Sequence, residues 1–195
     1  MLVVHPIHLE RKQRDRILSN SNLLGTTYLT QTIDASATTI NLKNVYFDNS
    51  QKNGFPDEAE VLIPFYNTSV TPPVWSVERI LYGSKDTSAN TLTVATGGRG
   101  YYGTTAAAHT VLTGTYSSSG LVCTVTTSGA HNLSTGQRIY LDFTSGPTVS
   151  EVNWGFDGTY IVTVTGATGF TVEFPFAKTA SGNVSLLPEV RLRSL

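Results

Sequence analysis

The stretch Thr27-Tyr28-Leu29-Thr30-Gln31-Thr32-Ile33, then Asp34-Ala35-Ser36, then Thr38-Thr39-Ile40-Asn41-Leu42 sets the grammar of the chain. Apolar and polar residues alternate with a period of two, β-branched side chains dominate, and a turn signal separates the runs; the pattern is strand, turn, strand. It continues at Glu60 to Tyr66, Val74 to Tyr82 and Thr91 to Ala95, with Asn67 to Pro73 and Gly83 to Asn90 supplying turn residues between them. The reading is a first β unit of about five or six strands.

A second series follows His109: Val111 to Tyr116, Leu121 to Thr127, Gln137 to Phe143, Thr159 to Thr165, Phe170 to Phe174 and Asn183 to Leu187. Its spacing is that of a small sandwich or barrel. Short gaps such as Gly166-Ala167-Thr168-Gly169 favour hairpins and antiparallel neighbours, because parallel strands need long, usually helical, crossovers. The one helical stretch is Ile7 to Ser19, which Pro6 is placed to open. With few apolar positions it is marginal alone and needs a partner surface, to which Ile17 and Leu18 are the obvious contributors. The expected fold is therefore all-β: two small antiparallel β-sandwich or barrel domains behind a short N-terminal helical arm. The arm is residues 1–20, the first domain 21–114 and the second 115–195, with the boundary near Gly114.

Composition narrows the function classes. Charged residues make up 14% of the chain, against roughly 25% in ordinary soluble domains. A formal net charge of -1 gives no sequence-wide attraction to nucleic acid. No run approaches the roughly 20 apolar residues of a spanning helix, and the start has no apolar segment of signal-peptide length, so the expectation is a protein made in the cytoplasm with no membrane partner. The single cysteine, Cys123, sits in Leu121-Val122-Cys123-Thr124-Val125 and reads as a buried strand position.

Two segments carry a resemblance. Thr91-Leu92-Thr93-Val94 is followed by Gly97-Gly98-Arg99-Gly100-Tyr101-Tyr102-Gly103-Thr104-Thr105-Ala106-Ala107-Ala108-His109. With Thr38 to Leu42 and Glu78-Arg79-Ile80-Leu81-Tyr82-Gly83 before it, this resembles a pattern in phage tail, baseplate and fibre-associated proteins, where it closes a small β domain. Ser128-Gly129-Ala130-His131-Asn132-Leu133-Ser134-Thr135-Gly136-Gln137-Arg138-Ile139-Tyr140-Leu141, with Asp157 to Val162, Thr168 to Val172 and Thr179 to Val184, is similar to a second module of virion proteins. The resemblance implies a non-enzymatic structural component of a bacteriophage virion, in the tail, baseplate, neck or fibre-attachment region. Made in the host cytoplasm, it would contact copies of itself and other virion proteins through its β domains and arm. The alternative is a receptor- or carbohydrate-binding module of an adhesion apparatus, with a host-surface glycan as ligand.

A search for chemistry gives little. His5, His8, His109 and His131 lack zinc-ligand spacing, and in the cluster Asp57-Glu58-Glu60, which could in principle supply a glycosidase pair, Asp57 and Glu58 read as solvated charges of the turn after Gly54-Phe55-Pro56. No nucleophile elbow or phosphate-binding loop is present, so no catalytic residue, metal or cofactor is expected. Arg99 and His109 suit hydrogen bonds to loop carbonyls; alternatively, Arg99 reaches a carboxylate on a neighbouring subunit. Tyr101, Tyr102 and Trp154, the last in the long loop Val149 to Gly158, are candidates for a subunit interface or a sugar platform.

Overall fold

The computed structural model describes residues 23–45, 55–145 and 156–193. The helix expected at Ile7 to Ser19, the arm 1–20 with Ile17 and Leu18, and Trp154 lie outside these residues. The chain is all-β: its described helical content is one 3-10 turn, Tyr101–Gly103. Two compact units divide it, one running to Thr110 and resuming at Pro188, the other Val111–Leu187.

In the first unit the strands are β1 (Leu23–Tyr28), β2 (Thr39–Asn41), β3 (Ala59–Asn67), β4 (Val74–Asp86) and β5 (Thr91–Val94). The second unit holds β6 (Leu112–Ser119), β7 (Val122–Thr127), β8 (Arg138–Phe143), β9 (Gly158–Ile161), β10 (Thr163–Val164), β11 (Gly169–Glu173) and β12 (Ala180–Leu187). The chain then returns to the first unit as β13 (Glu189–Arg193). All strand pairings among the described residues are antiparallel.

The first sheet has the order β1-β13-β3-β4-β5-β2. Its two end strands meet through the bridge Leu29–Leu42, where Thr30 N–H donates to Asn41 O and Lys43 N–H to Tyr28 O. The sheet is thereby drawn round a core of Leu29, Ile40, Val61, Ile63, Ile80, Tyr82, Leu92, Val190 and Leu192. Strand β4 serves two neighbours: up to Tyr82 it pairs with β3, and from Tyr82 to Asp86 with β5 across a register shift at Gly83. Residues on opposite faces of β3 are buried from Ala59 to Ile63, so this strand sits inside the unit on both sides.

The second sheet has the order β10-β11-β7-β6-β12-β8-β9. Its outermost strands are neighbours in sequence, parted by Val162 alone. One stretch, Gly158 to Val164, thus pairs with β8 on one side and with β11 on the other, which closes the sheet into a barrel. Strict alternation on β7 sends Cys123, Val125 and Thr127 inward. They meet an aromatic cluster in which Phe143 packs edge-on against Tyr116 at 4.9 Å and Phe174 at 5.6 Å. Each such ring withdrawn from water contributes roughly 1.5–3 kcal/mol.

The boundary expected near Gly114, with residues 115–195 in the second domain, is corrected at both ends. Gly114 lies inside β6, opposite Thr127 and Val184. The last strand belongs to the first unit because Val190 and Leu192 point into its core while Glu189, Arg191 and Arg193 alternate outward.

Candidate functional site

Strand β4 directs Glu78, Ile80 and Tyr82 to one face and Val77, Arg79 and Leu81 to the other. Ile80 and Tyr82 join the core; Glu78 occupies the next inward place and is fully buried. An isolated carboxylate there would be costly. The loop after β5 resolves this by delivering donors.

Arg99 Nε donates to Glu78 Oε1 at 2.7 Å and Nη2 to Oε2 at 2.9 Å, a forked pair. The backbone N–H of Gly100 reaches Oε1 at 3.1 Å and that of Ala107 reaches Oε2 at 3.0 Å. His109 Nε2 donates to Oε2 at 2.7 Å. Burial pushes the Glu78 carboxyl up, but the bonds from His109, Arg99 and Ala107, with the Arg99 charge, outweigh it and hold the group down at about 2. The donors are themselves anchored: Arg99 Nη2 also donates to Ala107 O at 2.7 Å, Nη1 donates to Asp34 O, and His109 exchanges backbone hydrogen bonds with Ile33 at 2.9 and 3.1 Å. The His109 ring stands edge-on to Phe65 at 5.4 Å.

The opposite face of β4 carries a second ion cluster. Arg79 grips Glu60 with Nε at 2.9 Å and Nη2 at 2.7 Å, and Arg193 Nη1 adds a contact at 3.2 Å. Tyr102 lies over the Arg79 guanidinium at 4.4 Å and is 76% exposed. It holds a left-handed backbone, φ 56°, between Gly100 and Gly103 at φ 61° and 75°. Such a conformation is uncommon for a bulky side chain.

Comparison with known protein families, curated proteins and solved structures finds no match.

The site is thus read from its own geometry. Both oxygens of Glu78 are filled by donors from its own chain, and Arg99, 10% exposed, finds its carboxylate there. The expectation that Arg99 and His109 bind loop carbonyls holds for Arg99, through Asp34 and Ala107, while the His109 side chain goes to Glu78. Tyr101 and Tyr102 stack edge to face at 5.2 Å on the surface side of the loop, away from that carboxylate. Asp57, 93% exposed, sits in a turn near Lys85, whereas Glu60 is enclosed on β3, so the acidic trio does not form a pair. Among the described residues no cluster of three metal-ligating side chains occurs. Cys123 is buried in the second unit, and burial pushes its thiol up to about 12.

Sequence reasoning missed Glu78 as a site residue. The available signal was its parity: two places before Ile80 and four before Tyr82, a charged residue stands on the inward face of a strand.

Proposed function

We propose that the protein is a non-enzymatic structural component of a bacteriophage virion, of the tail, baseplate, neck or fibre-attachment region, that associates with copies of itself and with other virion proteins. The observation that carries this reading is the Glu78–Arg99–His109 cluster. It ties the two pieces of the phage-like pattern, Glu78 to Gly83 and Gly97 to His109, into one β unit, and both oxygens of the Glu78 carboxylate are occupied by donors from those pieces. That is how a motif serves a scaffold: it braces a surface that other chains contact. The second unit suits assembly because its sheet curls round on itself and leaves few open edges to pair indiscriminately.

The test is mass spectrometry and cryo-electron microscopy of purified particles. The protein is expected at a fixed copy number in an ordered position; its absence from intact particles would overturn the reading. The exposure of Tyr102 favours a second reading, a receptor- or carbohydrate-binding module. A glycan array probed with the intact protein decides it: binding that disappears in Tyr102→Ala supports the second reading, and an empty array removes it.

A further inference from the structure

The edge of β4 that faces away from β3 is served over only part of its length. Leu81 N–H donates to Gly98 O at 2.8 Å, Ala95 N–H donates to Leu81 O at 3.0 Å, and Arg79 N–H donates to the Thr104 hydroxyl at 3.0 Å. Alternate residues of an antiparallel strand turn their N–H and C=O groups the same way, so Val77 and Trp75 present theirs on this same edge. The Gly97 to His109 loop stops serving the edge at Arg79, for Ala107 N–H goes to the Glu78 side chain and the His109 backbone to Ile33. Strand β5 pairs with β4 only from Tyr82 onward. Among the described residues nothing bonds the backbone N–H and C=O groups that Val77 and Trp75 turn outward.

The opposite edge of the same ribbon is guarded. Strand β13 takes β3 at Glu60, Val61 and Leu62, and the next outward position is Pro64, directly across from Val77, which has no N–H to give. An unpaired row of alternating backbone donors and acceptors selects one kind of ligand, the backbone of an extended peptide. The neighbours choose its side chains: residues placed beside Val77 and Trp75 share the face on which Trp75 packs Tyr66 at 5.7 Å, so apolar or aromatic groups at alternate positions fit there. Arg79, next along, already has its carboxylate in Glu60, so the site demands no acidic residue.

We infer that the edge of β4 at Trp75 and Val77 is a strand-addition site, which takes an extended segment of a partner chain with apolar residues at alternate positions. The inference rests on the reading of the protein as an assembling structural component, and it names the site and the chemistry of what fills it.

Hydrogen exchange on the full chain is the first test. In the isolated protein the amides of Trp75 and Val77 should exchange as freely as loop amides, while those of Ser76 and Glu78, which face β3, are protected. Protection at Trp75 and Val77 would mean that the edge is already covered and overturns the inference. A display library of random peptides of about ten residues, long enough for a strand, should yield binders on the wild type that slow exchange at Trp75 and Val77 by roughly tenfold or more. Binders that protect other amides instead, or no binders at all, overturn it. Val77→Pro removes the outward N–H and keeps the bonds to β3, as Pro64 does directly across the ladder, and should weaken those binders by about tenfold or more. Unchanged binding to Val77→Pro overturns the site; if that variant does not fold, the exchange readout on the wild type decides alone. In purified particles the same amides should gain protection. Particles that hold the ordered protein with both amides still open overturn the strand addition alone, and particles that lack the protein overturn the virion reading alone.

Discussion

Glu78 and His109 lie 31 residues apart in sequence, and their side chains meet at 2.7 Å inside the first unit. The bond fastens the end of the Gly97 to His109 loop to the middle of β4 just before the chain enters the second unit at Val111. Arg99 completes the arrangement with a fork onto the same carboxylate.

Removing the charge of Glu78 should therefore be expensive. Glu78→Gln keeps the shape but leaves the Arg99 guanidinium enclosed without its counter-charge, and breaking a buried pair in this way costs roughly 3–5 kcal/mol. Arg99→Lys keeps the charge and loses the fork, at roughly 1–3 kcal/mol. Urea unfolding of the full chain checks both; a Glu78→Gln variant within about 0.5 kcal/mol of wild type, the range of ordinary surface substitutions, would contradict the brace.

The same carboxylate sets an acid limit. Its value is lowered on folding from the ordinary 4.5 to about 2, so its contribution is fully present above 4.5 and is lost as pH falls from there through about 2. The first unit should lose stability progressively across that window. In Glu78→Gln this part of the acid dependence should vanish, which hydrogen exchange of first-unit amides at pH 5, 4 and 3 would show; an unchanged slope would assign the acid dependence elsewhere.

These contacts explain what was legible in the sequence and what was not. The alternation that marks Thr38 to Leu42, Val74 to Tyr82 or Leu121 to Thr127 is a local consequence of burying one side of a strand, so the strands and their antiparallel hairpins could be read directly. The return of Glu189–Arg193 to the first sheet could not, because pairing with β1 and β3 is decided by residues more than a hundred positions away. Arg99 and His109 were visible as unusual residues in a glycine-rich loop. Their shared partner, Glu78, was hidden because register, which no single segment contains, is what turns it inward.

Two adjacent glycines should respond very differently to a methyl group. A Cβ on Gly98 would collide with the Leu81 carbonyl and stand 2.8 Å from Ala95 O, both backbone atoms, while Gly98 O is the acceptor for Leu81 N–H at 2.8 Å. Gly97 has φ 68° and nothing within 4 Å of such a Cβ. Gly97→Ala should cost about 1–2 kcal/mol for the left-handed backbone alone. Gly98→Ala must displace the loop and with it the Arg99 fork, at upwards of about 3 kcal/mol. Equal costs for the two, measured by thermal or urea unfolding, would mean that the loop does not seat against Leu81 as described.

The second unit should fold when cut free. Its first and last strands are paired neighbours, with Leu112 directly opposite Leu186, so excising Val111–Leu187 leaves two ends side by side and breaks none of its strand pairings. Cys123 provides the readout, since it is fully buried and its thiol is pushed up to about 12, far from the thiolate that reacts. At pH 8 the excised unit should label with a thiol reagent as slowly as the full chain does, and rapidly only in denaturant. Glu78→Gln in the full chain should leave that rate unchanged, because the brace and the thiol belong to different units. Fast labelling of the excised unit without denaturant would show that the barrel needs the rest of the chain to stay closed.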